Sequence, residues 1–175
     1  YGARVDPWMT LVGYFNSMRE LGGMRRLVDD SVTALCNKQD RRGLAKRKLY
    51  NDGLAELPSR MRSEEIPLTL DRLEALFDPE LAERRQKAFK ERDYSNLPKK
   101  PLDVLLATNM ISVGVDVKRL GLMIVAGQPK ATAEYIQATS RVGRTFPGLV
   151  CTVFHWARPR YLSHYETFEH YHATF

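Results

Sequence analysis

At 175 residues the chain has the length of one domain and enough material to bury a core. Its 43% hydrophobic and 27% charged residues exclude a disordered or low-complexity class, and the net charge of +6 favours a polyanionic partner. Cys36 and Cys151 are too few for a disulfide framework or a Cys-rich zinc site and suit a reducing, cytoplasmic location. No apolar run nears the roughly 18 residues of a membrane span, and no signal peptide is visible.

The first predicted element is a strand over Trp8 to Phe15, rich in aromatic and β-branched residues. Asn16 and Ser17 follow as a turn and helix start, and apolar positions from Met18 to Leu35 recur at helical spacing. Strand, polar turn and amphipathic helix make one α/β unit. Asn16 and Ser17 then either cap the helix or sit at the unit's ligand edge. Residues 37–51 are strongly basic with little periodicity, which predicts a surface excursion. Leu54 to Met61 receives no strand. Glu64 and Glu65 suit the first turn of a helix that tolerates Pro67 near its start, with Leu68, Leu70, Leu73, Leu76 and Phe77 as its apolar face. A further helix fits Glu80 to Arg92, and the Leu-Pro-Lys-Lys-Pro run at 97–101 forces extended backbone before the next strand.

Residues 102–144 carry the densest signal. Val104 to Ala107 and Leu122 to Ala126 are short continuous apolar runs, as parallel strands covered on both faces require. Thr108 and Asn109 end the first run, and Gly114 and Asp116 follow. Gly127-Gln128-Pro129 ends the second, and Thr132 is a candidate cap for a helix with Glu134 in its first turn. On that helix Gln137, Arg141 and Arg144 fall at i, i+4 and i+7, on one face. Ligands of open α/β sheets bind outside the carboxyl ends of the strands. Thr108, Asn109, Gly114, Asp116, Gln137, Arg141 and Arg144 are therefore expected along one edge of one sheet. Leu149 to Phe154 closes the sheet. In the tail, His170 and His172 share no helix face and no Cys lies nearby, so packing is expected there and no metal site.

The run A-T-N-M-I-S-V-G-V-D-V at 107–117 resembles motif V of superfamily 2 helicases, and Y-I-Q-A-T-S-R-V-G-R at 135–144 resembles motif VI. Most similar are the bacterial helicases of the mitomycin-repair and phage-defence (DISARM-type) group. Ala138, Ser140 and Val113 depart from the DEAD-box pattern and argue against an RNA-unwinding DEAD-box protein. The resemblance implies a RecA-like α/β domain over 1–158, with a mostly parallel sheet of about five strands and helices on both faces. An aromatic-rich tail at 159–175 would begin an accessory segment. It further implies that Asn16, Ser17, Arg60, Thr108 and Asn109 meet a nucleic-acid backbone. Gly114, Asp116 and Gln137 would belong to the nucleotide site, and Arg141 and Arg144 would be arginine fingers.

No lysine follows a glycine anywhere in the chain, so the phosphate loop G-x-x-x-x-G-K-[ST] is absent. The expectation is the second of two RecA-like halves, inactive alone, within a longer protein that does not begin at Tyr1. Its cofactors would be ATP and Mg2+ completed by the first half. Its partners would be that N-terminal RecA-like domain and single-stranded nucleic acid, DNA before RNA, with no membrane. Two rival readings are a basic α/β nucleic-acid-binding module without nucleotide chemistry and a duplex translocase that does not unwind.

Overall fold

A computed structural model describes residues 2–45, 47–59, 62, 64–93, 98–108 and 117–174. Five strands form one sheet in the order β2-β3-β1-β4-β5, all parallel: β1 (Leu11–Phe15), β2 (Leu54–Leu57), β3 (Val104–Ala107), β4 (Leu122–Ala126) and β5 (Leu149–Val153). β1 is central, with Leu11 registered on Val104 at one side and Leu122 at the other. The parallel α/β sheet of about five strands expected from the sequence is the fold.

Both faces of the sheet are apolar because alternate residues of its inner strands all point into protein. Val12, Tyr14, Leu105, Ala107, Met123 and Val125 form one core. It packs against Leu73 of α3 (Glu65–Glu74) and against Tyr135 and Ala138 of α5 (Thr132–Thr139). Phe15, Leu54, Val104 and Leu106 form the second, beneath Leu21 of α1 (Met18–Leu27) and Val28. α1 runs through a π turn at Val28–Val32 into α2 (Thr33–Cys36), so one helical stretch covers the predicted range. The chain then carries α4 (Leu81–Glu91), and α6 (Pro159–Glu166) and α7 (Phe168–Ala173) make the tail.

Several boundaries differ from expectation. β1 starts at Leu11, not Trp8, because Pro7 lies in a 3-10 helix over Gly2–Trp8. β2 is a strand that hydrophobic patterning does not reveal. It is an edge strand of four residues whose half-buried Glu56 faces Arg25 of α1 at 3.4 Å. On α3 the buried residues are Thr69 and Leu73, while Leu68 is exposed and the helix ends at Glu74, before the exposed Leu76, so the apolar face is narrower and shorter than the leucine spacing suggests. The basic excursion is anchored at Arg47, whose guanidinium pairs with Asp103 at 2.7 Å and donates to the Met9 carbonyl.

Candidate functional site

Because every strand is parallel, the ends of β1, β3, β4 and β5 share one carboxyl edge. Asn16 and Ser17 follow β1, Thr108 follows β3, and Gly127 and Gln128 follow β4. Ser17 is the N-cap of α1: its backbone is extended and its Oγ accepts from the Glu20 amide at 3.3 Å. Asn16 staples the edge, its Nδ2 donating to the carbonyls of Gly127 at 2.6 Å and Ala126 at 3.1 Å. Thr108 is buried, its amide bonded to the Leu57 carbonyl at 3.3 Å. Its Oγ1 has no hydrogen-bond partner among the described residues. The same holds for both amide atoms of Gln128, a side chain only 1% exposed. Buried polar groups are overwhelmingly satisfied in native folds, and Thr108 directly precedes residues 109–116, which lie outside the described residues. Gln128 was not singled out from the sequence. A polar residue two positions past a buried strand was the available signal.

Arg60, Asn109, Gly114 and Asp116 lie outside the described residues. Gln137 is exposed on α5. The helix stops at Thr139, so Gln137, Arg141 and Arg144 do not share one helical face. The reason lies in the backbone. Arg141 and Val142 bond back to Ala138 and Thr139 in tightened i→i+3 turns. Val142 is buried, and Gly143 turns to φ +77° and gives its N–H to the Leu120 carbonyl at 2.9 Å. Leu120 precedes β4. α5 therefore starts at the carboxyl edge, runs about 12 Å back along the sheet, and delivers Arg141 and Arg144 near the amino ends of the strands. The expected single edge is split in two. Arg141 is half-buried there, and Arg144 is exposed, with its Nε donating to the Ser140 carbonyl at 3.2 Å.

Two contacts tether the first turn of α5. The Tyr14 hydroxyl, on β1, donates to Glu134 in the first turn at 2.6 Å. Burial, then the hydrogen bond and charge of Glu134, push the ionisation of that phenol far above its usual range, so it stays a donor. Thr132 does not cap the helix; it is the first helical residue and accepts from the Tyr171 hydroxyl at 2.8 Å.

The tail closes over the carboxyl edge. Gly127 has φ +80°, and a Cβ there would lie 2.4 Å from the Tyr161 ring, so only glycine admits this contact. Arg158 pairs with Glu20 at 3.0 Å. His172 meets the Tyr135 hydroxyl at 3.2 Å and the Phe168 carbonyl at 2.8 Å, and no cluster of metal-binding side chains occurs among the described residues. No helix among those residues is long and apolar enough to cross a membrane.

Comparison with known proteins agrees with this architecture. The model of the helicase conserved C-terminal domain matches residues 59–146. DISARM protein DrmA of Bacillus paralicheniformis (strain ATCC 9945a / NCIMB 11709 / CD-2) is 46% identical over 168 residues, covering 96% of this chain and 13% of that protein. Among solved structures, the C-terminal part of the Fun30 ATPase domain superposes with a TM-score of 0.52 at 11% identity, over 86% of this chain and 36% of the other. S. cerevisiae Dbp5 bound to RNA and ADP BeF3 gives 0.50 at 15% identity, over 93% and 32%. At such identities the likeness is one of fold. The chain spans about an eighth of its curated relative's length, as its 13% coverage states.

Proposed function

Because this chain belongs to the family of helicase conserved C-terminal domains, we propose that it is the second RecA-like half of an ATP-dependent helicase or translocase. The observation that carries the reading is α5, a helix that starts at the carboxyl edge and ends at Thr139, followed by the tightened turns that bear Arg141 and Arg144. One end would answer to a nucleic-acid strand and the other to nucleotide held by a first half.

At the carboxyl edge, the first turn of α1 directs backbone N–H groups outward, and such groups bind phosphate. Ser17 sets that turn, and Thr108 ends the neighbouring strand at the same edge. Asn16 acts there by holding the edge in shape, since its Nδ2 is spent on two carbonyls. Such contacts fix position on a strand without reading sequence. We take the strand to be DNA.

At the other end, guanidinium groups are permanent, forked donors suited to phosphate oxygens. Gln137, Arg141 and Arg144 fit the outer face of a polyphosphate; with no phosphate loop in the chain, they do not make a whole nucleotide pocket. ATP with Mg2+ would bring the scissile phosphoanhydride, and the arginines would stabilise the charge that grows on the transferred phosphoryl group. The link through Tyr14 and Glu134 would make domain closure on nucleotide felt at the strand.

The test uses the full-length protein. Arg141→Ala and Arg144→Ala should each lower DNA-stimulated ATP turnover by on the order of 10³-fold, with DNA affinity changed by about twofold or less. A loss of DNA affinity in proportion to charge, with turnover of the bound enzyme intact, would instead identify a basic binding module. Strand-displacement measured beside ATP hydrolysis separates unwinding from duplex translocation.

A further inference from the structure

The segment after β5 stands apart from the motor elements. Trp156 is 84% exposed, far beyond the other tryptophan, Trp8, at 40%. Large aromatic side chains are normally well covered. Trp156 stands between two hollows. One, of about 450 Å³, is walled by Phe15, Phe154 and Tyr161, with Arg158 and Glu20 at its rim. The other, of about 230 Å³, is walled by Phe154, Leu162 and Tyr165.

The indole is backed on its own chain. The His155 ring lies nearly parallel to it, at 14° and 6.3 Å between centroids, and accepts the Ala157 N–H on Nδ1 at 3.2 Å.

The charge around it selects the occupant. Between Glu134 and Glu166 the sequence contains no acidic residue, and of its four arginines Arg158 and Arg160 lie beside Trp156 while Arg141 and Arg144 stand at the amino ends of the strands. Arg160 lies over the Tyr161 ring at 4.8 Å, and Glu20, which lines the larger hollow, is met by Arg158 at 3.0 Å. An exposed indole flanked by arginines and aromatics is how proteins hold unpaired nucleotides, base on ring and phosphate on cation.

Position agrees. Trp156 follows β5 at the same carboxyl edge as Ser17 after β1 and Thr108 after β3. From β3 to β5 is three strand spacings, about 14 Å. At roughly 3.4 Å per phosphate that is about four stacked nucleotides.

We propose that Trp156, backed by His155, is a stacking platform for one unpaired base of the strand that crosses this edge, with Arg158 and Arg160 receiving the neighbouring phosphates. The proposal rests on the nucleic-acid reading above and adds a contact to a base where that reading has only contacts to backbone.

The experiment compares an oligothymidine of about a dozen nucleotides with an abasic strand of equal length, so that the phosphates are identical and only the bases differ. In the chain carrying Trp8→Phe, Trp156 is the only indole, since the sequence has two tryptophans. The base-bearing strand should quench its fluorescence and bind about five- to hundredfold more tightly than the abasic one. Trp156→Ala should bring the affinity for oligothymidine down to that of the abasic strand, and Trp156→Phe should keep most of the difference. Equal binding and equal quenching by the two strands would overturn the stacking platform and leave backbone binding standing. Binding of neither strand would overturn both.

Discussion

The two ends of the sheet are built on opposite terms. At the amino end, Asp6 and Arg119 form a buried ion pair, each under a tenth exposed, at 2.6 Å. Every donor direction of that guanidinium has a partner: the Asp6 carboxylate and carbonyl, Thr10 Oγ1 at 3.1 Å and the Leu73 carbonyl at 2.9 Å. Asp6 also receives the Phe77 amide at 2.6 Å, and Thr10 donates to the Leu102 carbonyl at 2.7 Å. The pair thereby ties the lead-ins of β1, β3 and β4 to the end of α3. At the carboxyl end Thr108 and Gln128 are equally buried and have no hydrogen-bond partner among the described residues. A buried group left this way costs about 1–3 kcal/mol. Among the described residues the amino end is fully satisfied and the carboxyl end is not. The Arg119 network adjoins the turn where Gly143 grips Leu120, so it also seats the segment bearing Arg141 and Arg144.

The largest effect should come from breaking the satisfied end. Arg119→Ala leaves Asp6 buried and unpaired, and should cost about 3–5 kcal/mol, read as a lower urea midpoint at unchanged slope. A loss below about 1 kcal/mol would mean that water replaces the guanidinium and that the two ends do not differ in kind. Next is Gly127→Ala, which forces a Cβ against Tyr161 at a left-handed backbone. Roughly 2–3 kcal/mol should be lost, and proteolysis should first cut the loosened tail. The smallest change has the opposite sign. Gln128→Leu fills the same space without orphaned polar atoms and should gain about 1 kcal/mol, while lowering nucleic-acid-stimulated turnover in the full-length protein. A stability loss in that variant would show that the Gln128 amide has a structural partner, and would erase the contrast on the carboxyl side.

How much of this was legible in the sequence follows from which interactions are local. β1, β3 and β4 announce themselves as apolar runs bounded by turn residues, because a strand covered on both faces has no other solution; β5 is an apolar run too, although as an edge strand it leaves Leu149 and Val153 exposed. β2 does not, since an edge strand of four residues tolerates Glu56. The end of α5 is illegible for a related reason. Periodicity continues through Arg144, but a long-range bond from Gly143 to Leu120 wins over the helical one. Asp6 and Arg119 lie 113 residues apart, and nothing near either predicts the other. Trp156 looks like core in a list of residues and proves exposed only once β5 is known to be the last strand. Asn16 had two open readings from sequence, cap or strand contact; the cap is Ser17, and Asn16 fastens two strand ends together.

The place of β1 at the middle of the sheet has a consequence for biosynthesis. Its pairing residues on β3 and β4 emerge roughly 90 and roughly 110 residues after it, so at about 5–20 residues per second the segment Leu11–Phe15 waits on the order of 5–20 s for its neighbours. For that interval an apolar ribbon with two unsatisfied flanks is open to the cell, long enough for a chaperone to meet it on the ribosome. Yield during expression should therefore depend on chaperone supply more than the finished domain's stability would suggest.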